Sequence, residues 1–400
     1  MAATSAIEGT AKILVPRMVN QGYDVNSVAA RRTWLKLQTG CNLEHVGAYS
    51  LSSEAMRGNV ENPIGAAQVP LGIAGPLLIN GLYARGIFYV PLATTEGALV
   101  RSYERGMVTL TRAGGVSVRM HLDQNCVAPV FFFDDVATAH EFLQQLPNEF
   151  EAIRREAEAT TSHGRLLRLE PHMVGRDVMV SFEYHTGDAH GMNMIVNATD
   201  RACKWLMKHC PARGFYIFSG MESEKHAGGG LFTGGKGKKV TAGALLSDAI
   251  LKSYLHATPA QFVSLWQRTV IGHLQGNVTG YNGHFANGLA AVFIACGQDV
   301  GNLVNCAVGI TNFEMTNGGD LYASVSLPSL TVATVGGGTG LGTSRECLQL
   351  LGCVGTGTAP KLAEIVAATL LAGELSIGAA IVSGEFVAAH EAYGRNRPRG

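Results

Sequence analysis

The chain has 400 residues, of which 46% are hydrophobic and only 16% are charged. This length and composition allow a large buried core and argue against disorder. Lysine plus arginine and aspartate plus glutamate number 31 each, and this zero balance argues against a nucleic-acid-binding or membrane-surface protein.

The eight cysteines are scattered, and no two have the C-x-x-C spacing of zinc or redox sites. We therefore predict free thiols in a reducing compartment and no metal. Residues 1–14 contain no apolar run of the signal-peptide type. Glutamates interrupt the longest apolar tract, Leu362 to Ala389, which favours a buried helix over a membrane span. The sequence thus predicts a cytoplasmic protein without a membrane segment.

Residues 1–60 are predicted to be a helical, polar N-terminal region, and a Pro- and Gly-punctuated link follows at 61–65. The stretch Pro91 to Gly97 joins a strand to a helix whose apolar residues recur at three- and four-residue steps from Leu99 onward. Glu96 is therefore predicted in the first helical turn. Both a capping acid and a carboxyl placed for proton chemistry fit that position.

Residues 120–219 alternate between strand and helix patterns. Short apolar or alternating runs predict strands near residues 130, 167, 181 and 216. One helical pattern lies between the strands near 130 and 167, and another lies between the strands near 181 and 216. The resulting order β-α-β-β-α-β is that of a ferredoxin-like unit. We predict a small inserted domain over 120–219.

The remainder of the chain, 220–400, is predicted to be mainly helical, with glycine-rich interruptions and an extended segment over Asp320–Val335. Residues 220–239 read as a mobile loop, helices are predicted over Ala242–His256 and Ala286–Cys296, and a long Ala-rich helix runs from about Pro360 to His390. These patterns place the chain in the α+β class.

Two loops have the composition of an anion or cofactor site. Residues 187–194 lie between a strand and a helix N-terminus, where backbone N–H groups can meet an anion. Gly336 to Gly340 follow an extended segment directly, which can bring backbone against a phosphate. A helix capped by Asp188 explains the first loop equally well, and a plain tight turn explains the second.

Four further side chains are candidates for chemistry. Asp299 follows the end of an apolar helix, where its charge opposes the helix dipole and needs a partner or a function. Asn287 lies among small apolar residues, so its amide needs a hydrogen-bond partner. Lys225 in the glycine-rich loop and His390 near the C-terminus are by default solvated, and become functional only if they reach a substrate.

Six collinear stretches then identify the chain as similar to a known family. They are ENPIGAAQVPLGIAGPL, PLATTEGALVRSYERG, TGDAHGMNM, YNGHFANGLAAVFIACGQD, LPSLTVATVGGG and GELS, at residues 61–77, 91–106, 186–194, 281–299, 327–338 and 373–376. Together they resemble the catalytic domain of hydroxymethylglutaryl-CoA (HMG-CoA) reductase, closer to the biosynthetic, eukaryote-type class. The resemblance spans roughly residues 55 to 390.

The resemblance implies a fold, an activity and partners. The fold is a large substrate- and coenzyme A-binding domain, here 61–119 and 220–400, built around a long central helix, with the dinucleotide-binding unit at 120–219 inserted. The reaction reduces a thioester to an alcohol with two nicotinamide hydrides, turning HMG-CoA into mevalonate and coenzyme A with NADPH. The family's active site lies between two subunits, which implies a homodimer or homotetramer.

The resemblance also implies residue roles. Glu96 is the acid for the carbonyl oxygen, Lys225 stabilises the oxyanion, and Asp299 couples the protonation of both. His390 protonates the coenzyme A thiolate from a flap-like helix. The remaining roles are substrate binding, by Ser102, Arg105, Arg119, Ser219 and Asn287, and cofactor binding, by Ser162, Asp188, Gly191, Met192, Asn193, Gly336, Gly337 and Gly338.

The catalytic loop departs from the family pattern. Glu224, Lys225 and His226 stand where the family has an acid followed by two lysines, so Lys236 is the alternative to Lys225. A second family lysine near the substrate corresponds to Arg268, which keeps the charge but changes its shape.

The cofactor stretch departs as well. Thr161, Ser162 and His163 replace a Ser-Arg pair that usually meets the 2′-phosphate of NADP, and Arg165 is a possible substitute. NADH is therefore an open alternative to NADPH.

Two more functions are compatible with these departures. One is a reductase of the same fold that acts on another acyl-CoA, and the second is a catalytically impaired homologue that binds ligands. All four catalytic residue types are present in order, which argues against the impaired homologue.

Overall fold

The computed structural model describes residues 14–17, 22–233 and 236–386. The helices are α1 Val25–Thr39, α2 Glu44–Gly47, α3 Leu99–Arg112, α4 Val136–Glu158, α5 Met192–Leu206, α6 Asp248–Leu255, α7 Pro259–Gln275, α8 Phe285–Ala295, α9 Leu303–Cys306, α10 Gly342–Leu350 and α11 Ala359–Ser383. The strands are β1 Leu71–Asn80, β2 Arg85–Ala93, β3 Val116–Val127, β4 Val130–Phe132, β5 Arg165–Val174, β6 Asp177–His185, β7 Gly214–Tyr216, β8 Gly237–Leu246, β9 Ile310–Met315 and β10 Leu321–Leu330.

The larger part of the fold is a mixed sheet in the order β2-β1-β3-β8-β10-β9. Its pairs are antiparallel except β1 with β3, which run parallel. The face of this sheet is covered by α11, which also contacts α3 and α8. The predicted large domain around a long central helix is confirmed.

The smaller part is an antiparallel sheet in the order β7-β4-β6-β5. Helices α4 and α5 pack on it and enclose a second core that includes Phe131, Phe142, Phe182 and Ile195. The chain order β4-α4-β5-β6-α5-β7 confirms the predicted ferredoxin-like unit. Strand β3 links the two sheets, because its first half pairs with β8 and its last residues pair with β6.

Helix α11 is the most deeply buried of the described helices. Its contact with α3 is close: a Cβ added to Gly106 would collide with the backbone carbonyl of Ala372. Among the described helices α11 alone is long and apolar enough to cross a membrane, and 83% of its most apolar window is buried inside the molecule. That burial is the environment of a core helix in a globular fold.

Two glutamates that interrupt the apolar sequence of α11 have specific partners. Glu364 accepts hydrogen bonds from the backbone N–H groups of Leu82, Tyr83 and Ala84, at 3.0, 2.8 and 2.7 Å. These residues form the turn between β1 and β2, so the carboxylate ties that turn to the central helix. Glu374 has a comparable set of donors near the candidate site.

The predicted helix over Ala242–His256 is wrong in its first half. Residues 237–246 form strand β8, and helix α6 begins only at Asp248. Strand β8 is hydrogen-bonded on both sides, and Val240, Ala242, Ala244 and Leu246 lie on its buried face. Gly243 and Leu245 on the other face are not polar either, so the sequence lacks a clear two-residue alternation of apolar and polar side chains. Small residues without that alternation resemble a packed helix.

The predicted mobile loop at 220–239 is also too long. Lys236 and Lys238 are buried and paired with Glu224 and Asp123, respectively. The division of the chain at 119/120 and 219/220 stays a prediction, and β3 crosses the first of these boundaries.

Candidate active site

Glu96 lies in the connection between β2 and α3. The backbone turns at Ala98, whose φ is +69°, and the helix begins only at Leu99. The prediction that Glu96 occupies the first helical turn is therefore wrong, and with it the interpretation of Glu96 as a capping acid. The side chain of Asn287, in the first turn of α8, instead donates to both carboxylate oxygens of Glu96, at 3.2 and 3.0 Å.

A cavity of about 510 Å³ opens beside this pair, and we call it the Glu96 cavity. Ser102 and Arg105 line it from α3. Both bond to Ser376 of α11: Ser102 Oγ lies 3.0 Å and Arg105 Nε 3.1 Å from Ser376 Oγ. The cavity thus joins the predicted acid to the side chains predicted to meet coenzyme A.

Lys225 and Asp299 form an ion pair, with Lys225 Nζ 2.9 Å from Asp299 Oδ2. Their side chains are 48% and 44% exposed, so the pair is open to a substrate. Lys225 has a φ of +58°, a conformation that costs a non-glycine residue energy and is concentrated at functional sites. The loop therefore holds the backbone of Lys225 in a left-handed conformation that residues other than glycine seldom adopt.

Asp299 does not lie at the end of α8, as the sequence suggested, because that helix ends at Ala295. Its carboxylate caps a short 3₁₀ helix, accepting from the N–H of Gly301 at 2.9 Å. Partial burial acts to raise the pKa of Asp299, but the hydrogen bonds from Lys225 and Gly301 outweigh it and the pKa is lowered. Asp299 is thus held ionised beside the lysine.

Lys236, the alternative catalytic lysine, has a different environment. Its side chain is only 2% exposed and forms an ion pair with Glu224, the residue immediately before Lys225. Lys236 Nζ also lies 3.4 Å from the carbonyl of Cys126. Of the two lysines, Lys225 is the one paired with Asp299, while Lys236 anchors the loop that carries it.

The ion pair borders a cleft of about 740 Å³, which we call the Lys225 cleft. Most of the predicted cofactor residues line it, namely Gly191, Met192, Asn193, Gly336, Gly337 and Gly338. Gly336 and Gly337 have φ of +82° and +54°, and no atom lies within 4 Å of where their Cβ atoms would be. Their backbone is therefore open to close approach by a phosphate-bearing group.

Asp188 does not line this cleft. Its carboxylate oxygens accept from the N–H groups of Gly357 and Ala359, at 2.7 and 2.9 Å, and so cap the N-terminus of α11. The sequence suggested that Asp188 either binds the cofactor or caps the helix that directly follows it. The structure shows neither contact, because the carboxylate caps the distant helix α11. The residue ties the cofactor loop to the central helix.

Other predicted site residues lie apart from both cavities. Ser162 is in the turn between α4 and β5, with its Oγ 2.8 Å from Nδ1 of His163. Arg119 donates to the carbonyls of Asn80 and Val118, and the Oγ of Ser219 accepts from the N–H of Met221. His390 lies outside the described residues.

Within one chain the predicted catalytic residues form two groups. Glu96 and Asn287 line the Glu96 cavity, whereas Lys225 and Asp299 line the Lys225 cleft. One chain thus brings together each pair but does not place all of these side chains in one cavity.

Sequence reasoning assigned no role to two side chains that line these cavities, Glu224 and His284. Glu224 and Lys236 anchor the lysine loop, and His284 lines the Glu96 cavity while bonded to Glu374. The available signal was their place within or beside the quoted motifs: His284 is in YNGHFAN and Glu374 is in GELS. The described residues contain no group of three or more His, Cys, Asp or Glu side chains arranged to hold a metal ion.

Comparisons with known proteins identify the family of this chain. Residues 27–395 match the family model described as hydroxymethylglutaryl-coenzyme A reductase. The HMG-CoA reductase of Methanocaldococcus jannaschii is 41% identical over 373 residues, covering 91% of this chain and 92% of that protein. The reductase of Aeropyrum pernix is 42% identical over 375 residues, covering 91% and 89%.

Solved structures show the same fold. The class II HMG-CoA reductase of Streptococcus pneumoniae bound to NADPH superposes with a TM-score of 0.68 at 20% identity, covering 90% of this chain and 99% of that chain. The family model and these relatives span nearly the whole chain, and the protein belongs to the hydroxymethylglutaryl-CoA reductase family.

Proposed function

We propose that this protein reduces HMG-CoA to mevalonate and coenzyme A, using two NADPH. The observation that carries the proposal is the exposed Lys225–Asp299 ion pair on the rim of a cleft with an open glycine backbone. A thioester reductase needs a cation for the oxyanion beside the place where a dinucleotide binds. NADPH supplies the two hydrides, and Gly191, Met192, Asn193 and Gly336 to Gly338 would hold it.

The protein side chains supply charge and protons. Lys225 stabilises the oxygen that gains charge when the carbonyl carbon is reduced, and Asp299 fixes the position of that ammonium group. Glu96, oriented by Asn287, gives the oxygen its proton. His390 gives a proton to the departing thiolate, and Ser102 and Arg105 face coenzyme A.

A second subunit completes this site in our proposal. Within one chain Glu96 and Lys225 border different cavities, and Arg119 and Ser219, which we assign to the substrate carboxylate, border neither. A homodimer or larger assembly would place these groups against the cavities of a neighbour. We further propose a cytoplasmic location and the domain division at 61–119 with 220–400 and 120–219.

The test is the loss of nicotinamide absorbance with purified protein, HMG-CoA, and NADPH or NADH in parallel. We expect two NADPH oxidised per HMG-CoA and mevalonate as the product. Turnover of a different acyl-CoA in preference to HMG-CoA would replace the substrate in this proposal, and absence of turnover with either cofactor would overturn it.

Use of NADH is a second candidate that one observation favours. Arg165, the possible ligand for the 2′-phosphate, is paired with Glu158 at 3.1 Å, so its charge is already engaged. The turn at 161–164 still adjoins the cleft, because Thr161 Oγ1 lies 2.9 Å from Sδ of Met194, which lines it. Ser162 and His163 are thus left as the phosphate ligands.

We expect His163→Arg to raise the preference for NADPH over NADH, measured as the ratio of kcat/KM values, by about tenfold. Arginine offers a planar, permanently charged fork that matches phosphate oxygens, whereas histidine offers a single nitrogen. His172→Arg, an exposed site on β5 of the same domain, is the matched control and should leave the ratio unchanged. An unchanged ratio in His163→Arg would remove this turn from the 2′-phosphate site.

A further inference from the structure

Glu374 of α11 is a buried carboxylate with an unusually complete set of donors. It is 3% exposed and accepts from the N–H of Gly283 at 2.7 Å, the N–H of His284 at 2.9 Å, Nδ1 of His284 at 2.9 Å and Oγ1 of Thr311 at 2.7 Å. Burial acts to raise the pKa of Glu374, but the hydrogen bond and charge of His284, with the other donors, lower it. The group therefore stays ionised.

This carboxylate fixes the state of the His284 ring. An ionised carboxylate can only accept, so Nδ1 of His284 carries a hydrogen. Nε2 is then the nitrogen available to take up and release a proton. A carboxylate that orients an imidazole in this way is the arrangement that general acid–base sites use.

The ring lies at the wall of the Glu96 cavity. His284 immediately precedes α8, and Asn287, one turn further along, donates to both oxygens of Glu96. His284, Asn287 and Glu96 all line the same cavity. The opposite face of the imidazole stacks on Tyr103, with ring centroids 5.4 Å apart and planes inclined by 24°.

The ionisable groups around His284 come from three elements. Glu374 approaches from α11, Tyr103 from α3 and Glu96 from the connection before α3. Burial first, and then the charges of Glu374 and Glu96, raise the pKa of Tyr103, so the phenol remains neutral. Arg101, Arg105 and Glu385 line the coenzyme A side of the cavity. Among these groups the imidazole is the one that has a second nitrogen available to exchange a proton with Glu96.

We propose that His284, oriented by Glu374, is a positioning residue that returns a proton to Glu96 between the two reduction steps. The inference deepens the proposed reductase function and rests on it. The Nε2–H bond of the imidazolium breaks as an O–H bond forms on the Glu96 carboxylate. The neutral ring keeps its Nδ1–H on Glu374 and regains a proton from water through the open cavity.

The test is His284→Asn, which keeps a side-chain donor near the place of Nδ1 but removes Nε2. We expect kcat at pH 8 to fall about tenfold or more, with KM for HMG-CoA and NADPH within about twofold of wild type. The alkaline limb of the pH–kcat profile should move to lower pH, because the pair then lacks the imidazole, which is the more basic of its two proton-holding groups.

His209→Asn is the matched control, since His209 is an exposed histidine of the small domain bonded to the Trp205 carbonyl. It should leave both the rate and the profile unchanged. A folded His284→Asn protein with wild-type kcat and an unmoved alkaline limb would overturn the proposal and leave His284 as a structural side chain.

A second measurement needs neither turnover nor a His284 variant. Imidazole nitrogens of the wild-type protein and of Glu96→Gln are titrated by NMR with ¹⁵N-labelled histidine. If His284 and Glu96 share a proton, removing the Glu96 charge must move the titration midpoint of one imidazole by about half a pH unit or more. Identical titration of every imidazole in the two proteins refutes the inference even if the reductase proposal fails.

Discussion

Lys225→Ala is expected to lower kcat for HMG-CoA reduction by roughly 10²–10³-fold while leaving the fold intact. The ammonium group is the cation paired with Asp299 on the rim of the Lys225 cleft, and it is half exposed, so its removal leaves no cavity and no buried unpaired charge. The loss should appear in kcat more than in the KM for NADPH, because the charge acts on the oxygen that becomes negative during reduction.

The control for this variant is Lys252→Ala. Lys252 is a similarly exposed lysine, paired with Asp248 on the surface of α6, and its loss should change neither rate nor stability. Lys236→Ala should instead reduce the free energy of unfolding, because it leaves the largely buried carboxylate of Glu224 without its ion-pair partner. Wild-type kcat in Lys225→Ala would show that the loop places another group at the oxyanion.

Glu364→Ala is expected to reduce the free energy of unfolding by about 3 kcal/mol or more. The buried carboxylate accepts from the three consecutive N–H groups of Leu82, Tyr83 and Ala84, and alanine would leave these donors without partners inside the protein. The same change detaches the β1–β2 turn from α11. Urea unfolding followed by circular dichroism measures the effect.

Glu54→Ala is the comparison for that measurement. Glu54 forms an exposed ion pair with Arg57, and such surface pairs contribute at most about 1 kcal/mol. If Glu364→Ala were as stable as Glu54→Ala, the hydrogen bonds from the turn would be replaced by water, and the role of Glu364 as an anchor would be lost.

Local patterns were enough to predict much of this fold. The ferredoxin-like order follows from alternating strands and periodic helices that are each recognisable within about ten to twenty residues. Strand β8 was not predicted because small or apolar residues, such as Gly243 and Leu245, also occupy its less buried face, so the sequence shows no clear alternation and suits a helix equally well. The element was identifiable only by its neighbours β3 and β10, which are distant in sequence.

The prediction of the site was limited in the same way, because local sequence does not reveal contacts with residues that are distant in the chain. Glu96 and Asp299 are recognisable because each lies in a motif, whereas Lys225 lies in a loop that departs from the family pattern, and the partners of all three come from elsewhere in the chain. Asp188 caps a helix that begins at Ala359, and local sequence patterns cannot identify a donor so far away. The glutamates of α11 looked like interruptions of an apolar helix, whereas tertiary structure makes them its main polar attachments.

The two ends of the segment that forms the small sheet and its helices lie side by side. The N–H of Ser219, just after β7, donates to the carbonyl of Ala128, between β3 and β4, at 2.9 Å. A segment whose two ends are neighbours can be exchanged without stretching the chain that receives it. Because Gly336 to Gly338 of the large part line the same cleft as Gly191 to Met194, exchanging residues 128–219 between two reductases would measure how much of the cofactor preference the small domain carries by itself.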